Sequence, residues 1–188
     1  MRDYSNKLKS KKVDIRKDAV NNRQAILRAA RQLFEKGHIH SNLKKIAAEA
    51  GVSRATLYRN FEDKESIILE VFHENLDKLD AYSNKIKGTK DRFYKLLEIV
   101  IKQQAKFQAV ALQISPLDLE LRKRVHKIFE EPLIEAQTNG AIRADFNLDK
   151  DLLLLLTMVG GALQYEEEKD KSKKVKRALD FIMQGIKT

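Results

Sequence analysis

AGVSRATLYRNFEDKE, residues 50–65, decides how the chain is read. It opens on a turn signal, Gly51-Val52-Ser53, and Asp63-Lys64 begins a new helix at its other end. Between them lies a helical pattern of about two turns, too short to be stable alone in water. Leu57 and Phe61 stand four residues apart on one face of it, while Arg54, Thr56, Arg59 and Asn60 point elsewhere, with Tyr58 at the edge. Packing Leu57 and Phe61 inward would hold the short helix and leave a face of long hydrogen-bonding side chains free.

The flanking sequence supplies the support. Asn42 suits an N-cap, and Leu43, Ile46, Ala47 and Ala50 form the apolar positions of a helix that Gly51 ends. Ser53 suits the cap of the short helix. Upstream, from Asn22, the residues Ile26, Leu27, Ala30, Leu33 and Phe34 mark a helical face ended by Gly37. Two helices joined by a tight turn and braced by a third make a helix-turn-helix pattern, with 54–61 as the recognition helix. Ala47 and Ala50 permit close approach, and Val52 and Leu57 fill the angle. An ordinary helical corner shares this spacing, because the same geometry occurs in proteins that bind no DNA.

Charge separates the two readings. Residues 1–64 hold 16 Lys and Arg against 7 Asp and Glu, which is +9 of the chain's net +10. A basic head joined to a nearly neutral remainder fits a polyanion-binding domain. Three helix starts also carry cations: Lys44-Lys45 after Asn42, Arg54 after Ser53, and Lys64 after Asp63. A cation beside a positive helix N-terminus costs ~0.3–1 kcal/mol. Three such cases in close succession point to an anion, which DNA phosphates would supply.

Residues 1–20 are rich in Lys, Ser, Asn and Asp and are read as a flexible basic arm, either inert, adding phosphate contacts or reaching an adjacent minor groove. Asp63 caps a long fourth helix with Ile67, Leu69, Val71, Phe72, Leu76 and Leu79 along it. Lys85–Lys90, with Gly88, is a polar break. Helical patterns resume over 93–114, stopped by Pro116, and over 117–138, with Pro132 expected to kink or divide the helix. Asp149 is the expected cap of an apolar helix reaching Tyr165, and a final helix covers about 174–186. No strand alternation or repeat is evident. The expected fold is all-α, with an arm over 1–20, a three-helix DNA-binding head over 21–72, and a helical regulatory and dimerisation body over 73–188.

Several function classes find little support. The chain has no Cys, which excludes a disulfide scaffold and fits a reducing cytoplasm. The N-terminus has no signal-peptide core, and the apolar run from Leu152 to Leu163 is too short to span a bilayer. His38 and His40 lie in a loop, and His73 and His126 are isolated, without HExxH or Cys partners, so no metal or other cofactor is expected. No phosphate-binding glycine loop or nucleophile elbow is present, which leaves an enzyme as a distant alternative.

Residues 23–72 resemble the DNA-binding domain of the tetracycline-repressor (TetR) family. The matching features are the Ala-Arg-x-Leu-Phe run before Gly37, Ile46-Ala47, Ala50-Gly51-Val52-Ser53, Thr56-Leu57-Tyr58 and Phe61-x-x-Lys64. The departures are Ser41-Asn42, where the family often has Thr-Thr or Thr-Ser, and Arg59-Asn60, where an aromatic residue or His is common. The resemblance implies a homodimeric transcription regulator, usually a repressor that a small ligand releases from double-stranded DNA. It places Ser53, Arg54, Ala55, Thr56, Tyr58, Arg59, Asn60 and Lys64 against DNA, with Asn42, Leu43 and Lys44 near the backbone. Tyr58 and Lys64 would position phosphates. Arg54, Thr56 and Asn60 are the candidates for base edges, since Arg suits guanine, Asn adenine and Thr the thymine methyl.

The body is less legible. Gln103, Gln104, Phe107, His126, Phe129 and Tyr165 are candidates to line a cavity for a largely apolar, weakly charged effector, and the alternative is that the aromatics are core and the glutamines surface. A DNA-binding adaptor that answers to a protein partner would need no such cavity. A symmetric dimer is expected through the last two helices: Leu152, Leu153, Leu156 and Gly160 on the first, and Leu179, Ile182, Met183 and Ile186 on the second. The fourth helix would act as a lever between effector and head.

Overall fold

The computed structural model describes residues 2–36, 38, 41–111, 119–163 and 168–187, with side chains described for 18–36, 38, 41–104, 119–152, 154–161 and 172–187. Among these residues every regular element is helical: α1 (Arg2–Glu35), α2 (Leu43–Glu49), α3 (Arg54–Asn60), α4 (Lys64–Lys85), α5 (Arg92–Ala111), α6 (Leu119–Thr138), α7 (Leu153–Leu163) and α8 (Glu168–Ile186), with a π-helical turn Leu148–Leu152 leading into α7. No helix of the described residues is long and apolar enough to cross a membrane, and they hold no cluster of His, Cys, Asp or Glu fit for a metal ion. The chain divides into two compact units, Met1–Val71 and Phe72–Thr188.

In the first unit α1 packs on α2 and α3, and α2 packs on α3. Ile26, Leu27, Ala30, Leu33 and Phe34 of α1 are buried, together with Ile46, Ala47, Leu57, Phe61, Ile67, Ile68 and Val71. The expected caps form. Asn42 accepts from the Lys45 amide and Ser53 from the Thr56 amide, and Asp63 Oδ1 accepts from the Ser66 amide at 2.7 Å. Between α2 and α3, Gly51 adopts φ +66°. The Val52 amide donates back to the Ala47 carbonyl at 3.0 Å and the Gly51 amide to Ala48 at 3.1 Å, a helix stop that needs a left-handed residue. The first twenty residues differ from expectation. Residues 2–20 continue into α1 as helix, since nothing there breaks one; Met1 and Gly37 lie outside the described residues.

In the second unit α5 is central, packing on α6, α7 and α8. Phe93 stacks edge-on against Phe129 at 5.5 Å and Phe146 at 5.9 Å. Leu96, Leu97, Ile101, Leu133, Leu179 and Ile182 join this core. Arg92, 3% exposed, enters it by pairing with Glu131 and Glu135 at 3.0 and 2.9 Å and by donating to Ser83 Oγ, as a buried charge must. Helix α6 runs through Pro132, which is buried. The cap before α7 is Asn147, not Asp149: its Oδ1 accepts from the amides of Asp149 and Lys150, and Asp151 accepts in return from the Asn147 amide. Pro116 and Tyr165 lie outside the described residues.

Candidate nucleic-acid interface

Helix α3 has seven residues, so its position is set by anchors and not by its own hydrogen bonds. Leu57 is fully buried and Phe61 nearly so. Burying each contributes about 1.5–3 kcal/mol, enough to hold so short a helix on its neighbours. With Leu57 turned inward, Arg54, Ala55, Tyr58 and Arg59 are left exposed.

These anchors bring residues from three helix starts around one recess of about 450 Å³. It is lined by Asn42, Leu43, Lys44, Arg54, Tyr58 and Lys64, with Leu57 at its base. Six of the eleven residues expected to meet DNA therefore share one concave surface, though α2, α3 and α4 each contribute only one or two turns to it. Lys64 is half-buried, and this burial lowers its ammonium pKa below the ordinary lysine value. An anion beside it would reverse that shift.

The remaining five lie along α3. Ser53 Oγ caps the helix and sits 2.9 Å from Thr56 Oγ1. Arg59 donates to Thr56 Oγ1 at 3.1 Å and to the Ala55 carbonyl at 3.3 Å. Asn60 is half-buried and turns its amide back to the Thr56 carbonyl at 2.8 Å. In this arrangement Asn60 and the Thr56 hydroxyl serve their own helix, which leaves Arg54 and the Thr56 methyl as the candidate base-edge groups.

Sequence reasoning gave no part to Arg23. Its Nη1 donates to the Asn60 carbonyl at 2.7 Å, its guanidinium lies 4.2 Å over the Phe61 ring, and it pairs with Glu70 at 3.2 Å. No local pattern marks it, because its partners are 37 and 47 residues away.

In the second unit the expected sites separate. Phe129 is fully buried against Phe93 and belongs to the core. Gln104 Nε2 donates to the Leu156 carbonyl at 2.7 Å, while the Oε1 atoms of Gln103 and Gln104 are buried without a partner. His126 lines a different recess, of about 620 Å³, with Leu121, Val125, Leu148, Leu152 and Leu156, and lies 3.5 Å from Asp149. The side chain of Phe107 is outside the described residues.

The dimer residues need correction. Leu152, Leu179, Ile182, Met183 and Ile186 are buried inside a single protomer and complete its core. Leu156 packs against that core, and Gly160 faces Gln104, whose Nε2 would stand 2.5 Å from an added Cβ. The side chain of Leu153 is outside the described residues. Among the described residues, the large apolar side chains left exposed on α7 and α8 are Leu154, Met158 and Phe181, at 55%, 62% and 62%.

Residues 26–71 match the sequence profile of the bacterial regulatory proteins of the tetR family. An HTH-type transcriptional regulator of Staphylococcus aureus (strain USA300) is 33% identical over 95 residues, covering 50% of this chain and 51% of that protein; the chain spans about half the length of the curated relatives it matches. The fatty acid degradation regulator FadR from Bacillus halodurans superposes with a TM-score of 0.61 at 21% identity, over 87% of this chain and 95% of the other. A TetR transcription regulatory protein from Mycobacterium vanbaalenii does so with 0.62 at 19%, over 93% and 99%. At these identities the two structures establish a shared all-helical fold. Residues 26–71 thus resemble the tetR family of bacterial regulatory proteins in sequence, and the chain shares the all-helical fold of these structures.

Proposed function

We propose that this chain is a ligand-responsive transcription regulator that binds palindromic duplex DNA as a homodimer and is released by a small molecule. The observation that carries the reading is the recess where Asn42, Lys44, Arg54, Tyr58 and Lys64 meet. It combines cations and helix N-termini in a concavity open to solvent, which suits a phosphate backbone. Arg54 and Thr56, on the outer face of α3, are assigned to base edges.

The second copy is assigned to the outer face of α7 and α8, where Leu154 and Met158 stand one turn apart and Phe181 is exposed. Exposed large apolar side chains on two adjacent helices fit a self-complementary interface. The effector is assigned to the recess lined by α6, the π-helical turn and Leu156 of α7, where six aliphatic side chains stand beside Arg122, Lys123, His126 and Asp149 and suit a largely apolar molecule with a polar end. Helix α4 is the proposed link. Lys64 is in its first turn, and further along Arg124 of α6 donates to His73 Nδ1 at 2.8 Å and pairs with Asp77. A ligand that favours one arrangement of these helices would weaken DNA binding, and DNA would weaken ligand binding by the same factor. A tenfold effect needs only ~1.4 kcal/mol of differential affinity.

The test begins with a duplex selected from random sequence by the parent protein. Arg54→Ala should relax base preference at a cost of ~1–3 kcal/mol. A parent that selects nothing, or a variant with unchanged preference, overturns the docking.

A further inference from the structure

Helix α3 ends at Asn60, and Phe61 leaves in extended backbone, φ −142° and ψ 130°. The chain therefore provides no further helical turn to satisfy the last carbonyls. Arg23 of α1 fills that role with one planar group: Nη1 takes the Asn60 carbonyl at 2.7 Å, the guanidinium face covers the Phe61 ring at 4.2 Å, and Nε and Nη2 reach the Glu70 carboxylate at 3.4 and 3.2 Å. A cation at a helix C-terminus also meets the favourable end of the dipole. Its charge is matched by Glu70, so it is not set aside for a phosphate. The other anchors of α3 are the buried side chains of Leu57, mid-helix, and Phe61, whose ring Arg23 covers. Freedom at the Asn60 end would let α3 tilt about Leu57 and displace Arg54 at the opposite end.

We propose that Arg23 is a positioning residue for the recognition helix, holding α3 from its C-terminal end so that it governs sequence discrimination and not electrostatic affinity. The proposal rests on the DNA-binding reading above. Lysine would keep the charge, yet a single ammonium has neither the fork nor the plane that three simultaneous contacts require.

The experiment compares parent, Arg23→Lys, Arg23→Gln and Glu70→Gln. Each is titrated at one salt concentration with the duplex selected by the parent and with a shuffled duplex of equal length, and amide exchange is followed over residues 54–61. Both Arg23 variants should lose at least tenfold in the ratio of selected to shuffled affinity. Arg23→Lys should keep its shuffled-duplex affinity within twofold, and Glu70→Gln should fall between it and the parent. Amides of α3 should exchange faster in the Arg23 variants while those of α2 do not. An unchanged ratio in Arg23→Lys, equal losses on both duplexes, or unchanged α3 exchange overturns the proposal. A parent without duplex preference would instead defeat the DNA-binding reading, and α3 exchange in Arg23→Gln would still decide whether Arg23 holds the helix.

Discussion

Replacing Lys64 by Ala should change the salt dependence of DNA binding by a calculable amount. Lys44 and Lys64 are the cations of the recess assigned to phosphates in one head, Arg54 being assigned to a base edge. If each neutralises one phosphate, a dimer makes about four such contacts, and log K should fall with log salt at a slope of about −3.6. Between 50 and 200 mM salt that is a loss of roughly 150-fold in affinity. Removing Lys64 from both heads leaves about two contacts, a slope near −1.8 and a loss of roughly 12-fold over the same range. The assay is fluorescence anisotropy on a labelled duplex across a salt series, with the parent alongside. pH provides a second handle. Burial places the Lys64 pKa below that of an ordinary lysine, so as pH rises Lys64 loses its proton before exposed lysines do. A phosphate beside Lys64 returns that proton on binding, so the parent's affinity should fall more steeply with rising pH in the alkaline range than that of Lys64→Ala. A parent slope that Lys64→Ala leaves unchanged would refute the placement of a phosphate in this recess.

Two further outcomes follow from the body. Gly160→Ala should gain about 0.5–1 kcal/mol of helix propensity and lose more than that by displacing the buried Gln104 amide from the Leu156 carbonyl, a cost of about 1–3 kcal/mol; in urea unfolding it should destabilise the parent yet be neutral or stabilising in a Gln104→Ala background, and equal effects in both would dismiss the contact. Leu154→Asp with Met158→Asp should give a folded monomer in sedimentation, whereas Ile182→Asp should lose helical signal, because it buries a carboxylate in the protomer core; a dimer that survives the first pair places the interface elsewhere.

The three-helix head was legible because its information is local. Asn42, Ser53 and Asp63 cap helices within three residues of themselves, and Gly51 stops one within five. The i, i+4 pair Leu57 and Phe61 fixes which face of α3 turns inward, so the exposed face is implied by subtraction. Family resemblance strengthened that reading over residues whose order and spacing are close to continuous. The same local logic missed the cap at Asn147, since Asn147 and Asp149 are both competent cap residues and only the π-helical turn distinguishes them.

The sequence by itself determined the all-helical class, the basic head and the inward faces of its helices, because caps, glycine stops and periodicity act within a few residues of one another. Tertiary structure alone decided what those faces meet. The stripe Leu179, Ile182, Met183 and Ile186 is equally apolar whether it is covered by a second copy or by α5 and α7 of its own chain, and periodicity records a need for burial without naming the partner; packing assigned the stripe to the core and left Leu154, Met158 and Phe181 outside. Arg23 meets Asn60, Phe61 and Glu70 only after the chain has returned upon itself, so a contact at the end of α3 leaves no trace in the spacing of the residues that make it.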